Sequence, residues 1–502
     1  MVFGGGSRRV RRSRGGGSSS SILPTTRNQH NHNNPPHNQH SVSCCCCYCD
    51  YKIFNFNEFI YSLGRKHAGF LKIWFSIGTG FGIASLFGVT LLLLLLLHQL
   101  QLPAATLNTN ILFGLSMSVA DAGYILISTF ISVAVHEFGH AIAAASEGIQ
   151  IEYIAIYVAL LFPGALVAFN YDSLLALPQV ATLRIYCAGV WHNAACCAAC
   201  ALGLFVLPLI LSPFYIHGEN LMVLDVKSTS PLSSYLSRGD VIESLDGFKF
   251  HYIQEWNEHS LGSSNDSDSS KKGYCIPNAW LEEDDKRRNS SCPDGLTPFS
   301  SVPCSDSNPF LPGRQCYNVA DVVQLKKCGQ GWVGNGTNEN NRQCSQEEAC
   351  LMPVLDPGNA WVEITYSRPY SEECLLPRDN STSTTTTNCG GTFVFIGDAL
   401  SVKSSVELTE YQPRWAIFTW ALLDLPKYTE KLLICTFHVS LTLALLNSLP
   451  VFLLDGESIL EVAIGYIHFL SSRKKALLLR ICLLGGSLLS LLAFIRVLFQ
   501  FL

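Results

Sequence analysis

Charge is scarce in this sequence. Asp, Glu, Lys and Arg make up 15% of its 502 residues, whereas hydrophobic residues make up 48%. Soluble domains average about 25% charge, so composition argues against a wholly soluble protein. The net charge of −5 is modest and spread out, which gives no case for nucleic acid as a partner. An apolar core is missing from the start, MVFGGGSRRVRRSRGGGSSSS, so no cleavable signal peptide is expected. Its basic, Ser/Gly-rich character also fits an organelle transit peptide, a reading weighed below. The tract NQHNHNNPPHNQH is low-complexity as well, and its histidines read as a solvated tail rather than a metal site. Residues 1–68 are therefore expected to form a disordered N-terminal region.

Long apolar runs, by contrast, are plentiful. From Gly69 to His98 no formal charge follows Lys72, and the run closes with seven leucines before His98. About 20 such residues suffice to cross hydrocarbon. A second run extends from Gly123 to about Ser146 and is apolar except for HEFGH. A third covers about Ile185 to Leu211, and a fourth, Leu432 to Leu454, carries no formal charge and ends at Asp455. These runs define transmembrane regions at 69–218 and 413–502. The stretch 457–502 is interrupted by Glu461, Arg473, Lys474, Lys475, Arg480 and Arg496. It fits either one span with a partial insertion or two spans. IEYIAIYVALLFPGALVAFN, at 151–170, is broken by Pro163 and Gly164 and reads as a β-hairpin or re-entrant segment.

The cysteines are unevenly placed. Five of the 20 crowd into Cys44–Cys49, a cluster equally read as palmitoylation sites near a membrane or as idle. Nine lie between Cys275 and Cys389, in polar sequence with glycosylation sequons at Asn265, Asn289, Asn335 and Asn380. Spaced cysteines in polar sequence point to disulfides and an oxidising compartment, and the sequons argue against a chloroplast or mitochondrial interior. Residues 219–412 are thus expected in a secretory lumen. The positive-inside rule independently assigns the basic N-terminus to the cytosol. Three spans then carry the chain to the opposite side, and the two lines of argument agree.

HEFGH sets two histidines, His136 and His140, one turn apart on one helix face. Both imidazoles can reach one Zn²⁺, with Glu137 beside it as a base. The plain alternative is a buried polar cluster without metal. Ionisable groups inside a membrane helix are costly and functional by default, which favours the metal. Zinc needs a third protein ligand. Glu147 is about 10 Å beyond His140 along a continuous helix, too far to serve. Asp455 is better. Its span runs in the same direction as the HEFGH span, so all three ligands fall at comparable depth on the cytosolic side. Pro450 interrupts that helix, and Gly456 permits an unusual turn that swings the carboxylate inward. His192 reads as a packed histidine, and His438 lies about 25 Å from Asp455 on a continuous helix.

HEFGH, then AGVWHN, then Leu454–Gly456 as LDG, together resemble the site-2 protease family of intramembrane zinc metalloproteases, peptidase family M50, in its plant or animal Golgi-type branch. The resemblance spans roughly 69–256 and 391–500. It implies one Zn²⁺ on His136, His140 and Asp455, with Glu137 as the catalytic base. It further implies substrate-positioning roles for Gly189 and Asn193 of a GxxxN element, and for Asn447, which with Pro450 resembles the start of the LDG segment. The implied substrates are membrane-anchored transcription factor precursors, first cut by an upstream lumenal protease, in a Golgi or other secretory-pathway bilayer.

Within 219–412, RGDVIESLDG resembles part of a PDZ domain. The rest of that domain is expected at about 391–412, with a cysteine-rich insertion at about 257–390. The expected fold class is a polytopic α-helical membrane protein with a lumenal PDZ-like β domain carrying that insertion. A non-catalytic scaffold and a zinc transporter are the competing readings. The intact motifs count against the first. The lack of repeated halves counts against the second.

Overall fold

The computed structural model describes residues 41–45, 48–99, 119–159, 162–258, 272–283, 292–301, 315–329, 331–332, 344–356, 358–371, 374, 389–415 and 422–501. It divides into two compact units, Met1–Val206 with Glu430–Leu502, and Leu207–Thr429.

The first unit is mainly helical. Its elements are α1 (Asn57–Lys66), α2 (Ala68–Gln99), α3 (Val119–Glu147), α4 (Gln179–Leu211), α5 (Leu425–Asn447), α6 (Asp455–Gly465) and α7 (Ser472–Phe501). Helices α4 and α5 continue beyond the unit's bounds. Five of them, α2, α3, α4, α5 and α7, are long and apolar enough to cross a membrane. Each expected span is found, and three begin several residues earlier than their apolar runs, at Val119, Gln179 and Leu425, because a helix continues past hydrocarbon into polar sequence. Helix α5 stops at Asn447, short of Leu454. Pro450 has no N–H to donate and disfavours helix in the residue before it. The stretch after Asp455 holds one short helix and one long one, the first of the two readings above.

Small residues let these helices approach closely. The buried run Ala141–Ala144 in α3 packs with Ile60 of α1 and Phe75 of α2. Polar pairs join α3 to α5: Ser132 Oγ lies 2.8 Å from Ser440 Oγ, and Thr436 Oγ1 donates to Ser128 Oγ at 3.1 Å. At the far end of α3, Glu147 accepts from Arg184 of α4 at 2.7 Å and lies 3.3 Å from Lys72 of α2. Glu147 is thereby spent on ion pairs.

The 151–170 segment is a hairpin of β3 (Ile151–Ala159) and β4 (Phe162–Phe169). It extends a sheet begun by β1 (Ser41–Cys45) and β2 (Tyr48–Ile53), in the antiparallel order β1-β2-β3-β4. The expectation of disorder to residue 68 therefore fails over β1, β2 and α1. Low-complexity composition ends before Tyr51, and Ile60, which is buried, with Ile53 and Leu63, which are half-buried, supplies apolar surface to the fold.

The second unit is a β domain. Its strands are β5 (Tyr215–Val226), β6 (Val241–Leu245), β7 (Gly273–Pro277), β8 (Thr297–Ser301), β9 (Gln315–Tyr317), β10 (Lys327–Cys328), β11 (Glu348–Pro353), β12 (Ala360–Ser367), β13 (Gly390–Gly397) and β14 (Val406–Pro413). One antiparallel sheet has the order β13-β12-β6-β5-β14, over a core that includes Leu221, Ile242, Phe250, Trp256 and Ile364. Asp246 and Gly247 make its tight turn with φ of +54° and +83°. The cysteine-rich insertion forms a second sheet, β10-β7-β11-β8-β9. Strand β12 falls inside the range expected for the insertion but lies at the heart of the first sheet. Cysteine density drew that boundary too wide, since VEIT alternates apolar and polar residues as a strand does, although the fold buries both faces of β12 from Trp361 to Ile364.

Four disulfides, Cys275–Cys344, Cys292–Cys316, Cys328–Cys350 and Cys374–Cys389, pair eight of the nine cysteines. The ninth, Cys304, lies outside the described residues, as do all four sequon asparagines. Cys275, Cys328 and Cys344 cluster closely enough to suggest a metal site, but their sulfurs are taken by these bonds. The chain is thus a polytopic helical protein with a β domain carrying a disulfide-rich insertion.

Candidate metal centre and active site

The helical period brings the two histidines of α3 to one face. Their ring centroids are 4.9 Å apart, and their Nε2 atoms are 3.3 Å apart. Asp455 arrives from far along the chain. Its Oδ2 is 3.1 Å from His136 Nε2 and 3.2 Å from His140 Nε2. The expected trio therefore converges on one point.

Local chain geometry explains how Asp455 gets there. It is the first residue of α6 rather than the tail of α5. The unusual backbone falls on Leu453, at φ +71°, a left-handed conformation rare for a residue with a Cβ. The Leu453 N–H donates to Glu457 Oε2 at 2.9 Å, which secures the turn. Gly456 serves close approach instead: a Cβ there would stand 2.0 Å from the Leu449 carbonyl oxygen.

A wall of α4 closes the other side. The Ile185 carbonyl oxygen lies 2.8 Å from His140 Nδ1. Gly189 presses on both rings, since a Cβ there would lie 2.4 Å from His140 Nε2 and 2.5 Å from His136 Cε1. Asn193, one turn further on and fully buried, has its side-chain amide 3.2 Å from His136 Nδ1. Asn447 is buried too, but its Oδ1 has no hydrogen-bond partner among the described residues.

Glu137 faces away from the α4 wall. It lines a cavity of about 160 Å³ whose other walls are almost wholly apolar, including Phe130, Val133 and Phe138 of α3 and Ala165 and Val167 of β4. The Val167 backbone N–H approaches its carboxylate. His192 stacks on Phe75 with centroids 5.4 Å apart, as a packed histidine should. His438 bonds the Ile434 carbonyl of its own helix and takes no part.

Two imidazole nitrogens and a carboxylate oxygen, all acceptors at 3.1 to 3.3 Å, repel one another unless protons or a cation stand among them. The donor set, two histidines and one aspartate, suits a divalent metal of the zinc type. The trio thus forms a possible metal site.

The sequence profile of Peptidase family M50 matches residues 124–489. The chain belongs to this family. It is 50% identical over 478 residues to the Membrane-bound transcription factor site-2 protease homolog of Arabidopsis thaliana, covering 90% of this chain and 91% of that protein. It is also 28% identical over 198 residues to an uncharacterized protein of Methanocaldococcus jannaschii, 38% of this chain and 51% of that one. The family match begins in α3 and ends in α7, and so contains every residue of the trio. The hairpin's part in walling Glu137, and the carbonyl of Ile185, escaped sequence reading. For the hairpin, the apolar 151–170 run was the available signal; a backbone carbonyl leaves none.

Proposed function

We propose that this M50 peptidase is an intramembrane zinc metalloendopeptidase that cuts single-span precursors within or near their transmembrane helix. The observation that carries this reading is the convergence of His136 Nε2, His140 Nε2 and Asp455 Oδ2 beside Glu137, on helices long and apolar enough to span a bilayer. His136, His140 and Asp455 would hold one Zn²⁺. When bound, the ion acidifies water and polarises a carbonyl as a Lewis acid. Glu137 accepts the proton of the attacking water on a carboxylate oxygen and returns it to the leaving nitrogen. The apolar cavity beside Glu137 suits a side chain from a transmembrane segment and keeps bulk water from the base. Asn447 is assigned to holding substrate, its buried Oδ1 being free to accept from an unwound backbone.

The printed name of the Arabidopsis relative supports membrane-anchored transcription factor precursors as substrates. In this reading they arrive already clipped by an upstream lumenal protease, and cleavage releases a cytosolic domain. The four disulfides support an oxidising lumen for 219–412, with the N-terminus cytosolic and the bilayer that of the Golgi or another secretory compartment.

Co-expression of a tagged, lumenally clipped precursor with the wild type or with Glu137→Gln tests the proposal. Only the wild type should release the cytosolic fragment. Equal release by both would sink the proposal, and metal flux that survives the substitution would favour a transporter.

A further inference from the structure

His136 and His140 are assigned the same duty but are supported differently. Beside His140 Nδ1 stands the Ile185 carbonyl oxygen, at 2.8 Å. A carbonyl only accepts, so Nδ1 keeps its proton and Nε2 turns a lone pair towards Asp455. Among the described residues, no carbonyl stands against His136 Nδ1. Its Nδ1 lies 3.2 Å from the amide of Asn193, which is fully buried. Asn193 Nδ2 faces the ring, while its Oδ1 has no partner among the described residues.

The two ends of a carboxamide exchange by a half-turn about the Cβ–Cγ bond with no other change of shape, so the hydrogen-bonding chemistry decides which end faces the ring. The chemistry does distinguish them here. With Nδ2 against the ring, His136 Nδ1 must accept, so its proton sits on Nε2 and blocks the metal point. With Oδ1 against the ring, His136 Nδ1–H donates, and Nε2 is free to ligate. We infer that Asn193 is the positioning residue of His136: its Oδ1 accepts the His136 Nδ1 proton and holds Nε2 towards the point shared with His140 and Asp455. This inference rests on the metalloprotease reading and assigns Asn193 to the metal ligand rather than to substrate. Gly189, one turn before it, lets α4 come close enough for the contact.

The test uses full-length protein in detergent, with zinc affinity from chelator competition and the visible spectrum of the Co²⁺-substituted protein. Asn193→Leu keeps the shape and removes the acceptor. Losing such an outer partner lowers metal affinity by about 10- to 100-fold, and the Co²⁺ bands should shift. Asn193→Asp keeps an acceptor and has no amide N–H. It should retain wild-type zinc affinity or exceed it, whatever it does to substrate turnover. Should Asn193→Leu fail to fold, Asn193→Ser replaces it: the shorter side chain stays polar but falls short of the ring, and the same loss is expected. Wild-type affinity in folded Asn193→Leu or Asn193→Ser would overturn the inference, as would a tenfold fall in Asn193→Asp. A wild-type chain that binds no zinc overturns the metalloprotease reading as well, so the two failures are distinguishable.

Discussion

Replacing Gly189 by alanine adds one methyl group where two imidazoles already stand. The new carbon would lie 2.4 Å from His140 Nε2, and 2.5 and 2.6 Å from His136 Cε1 and Nε2. Unstrained non-bonded contacts settle near about 3.5 Å, so the rings or α4 must give by about 1 Å. A displacement of that size at a reacting centre costs roughly 10²-fold in rate. Overpacking costs about 1–3 kcal/mol, and alanine returns about 1 kcal/mol of helix propensity. Net stability should therefore fall by no more than about 2 kcal/mol, leaving a folded protein with a damaged site. Gly203, on the same helix, is the control. A Cβ there would meet Leu433 at 3.6 Å, an ordinary contact, so Gly203→Ala should be neutral or slightly stabilising. Fragment release, zinc per chain and thermal unfolding, measured together, separate a broken site from a broken fold. Wild-type release and zinc content in Gly189→Ala would refute the argument.

Gly456→Ala should abolish fragment release with the protein still inserted in membranes, because a Cβ would collide with the Leu449 carbonyl at 2.0 Å and displace Asp455; a pulse-labelled release assay checks this. Cys328→Ser with Cys350→Ser removes one disulfide of the insertion and should cost about 3 kcal/mol, read as earlier proteolysis of the β domain with zinc per chain unchanged. Glycan-sensitive mobility should change when Asn265, Asn289, Asn335 and Asn380 are replaced by Gln, as the lumenal assignment requires; no change in a secretory-pathway host would contradict that assignment.

Much of this was legible in the sequence because its signals are local or periodic. Apolar runs located four of the five membrane-capable helices found among the described residues and left the fifth undivided within 457–502, and the i, i+4 spacing of His136 and His140 set them on one face. Asp455 is remote in sequence. Its choice rested on the expected common direction of the two spans; its Oδ2 lies 3.1 and 3.2 Å from the two histidine Nε2 atoms. Three features were not legible. Strand β12 was hidden among cysteines, which mark an insertion without marking its limits. Strand β2 and helix α1 follow a low-complexity tract, and their order depends on partners, β3 and α3, about a hundred residues away. The burden of the turn before Asp455 falls on Leu453, because a left-handed leucine is imposed by its surroundings and no residue type announces it. Gly189 and Asn193 could be named from the resemblance, but their closeness to the imidazoles is a property of how α4 packs on α3.

The most direct measurement is the zinc content of purified full-length protein, for the wild type, Asp455→Ala and Glu137→Gln, alongside fragment release. The wild type and Glu137→Gln should each hold one zinc per chain, with release only by the wild type, and Asp455→Ala should lose both zinc and release. Full zinc occupancy in Asp455→Ala, or release by Glu137→Gln, would contradict it.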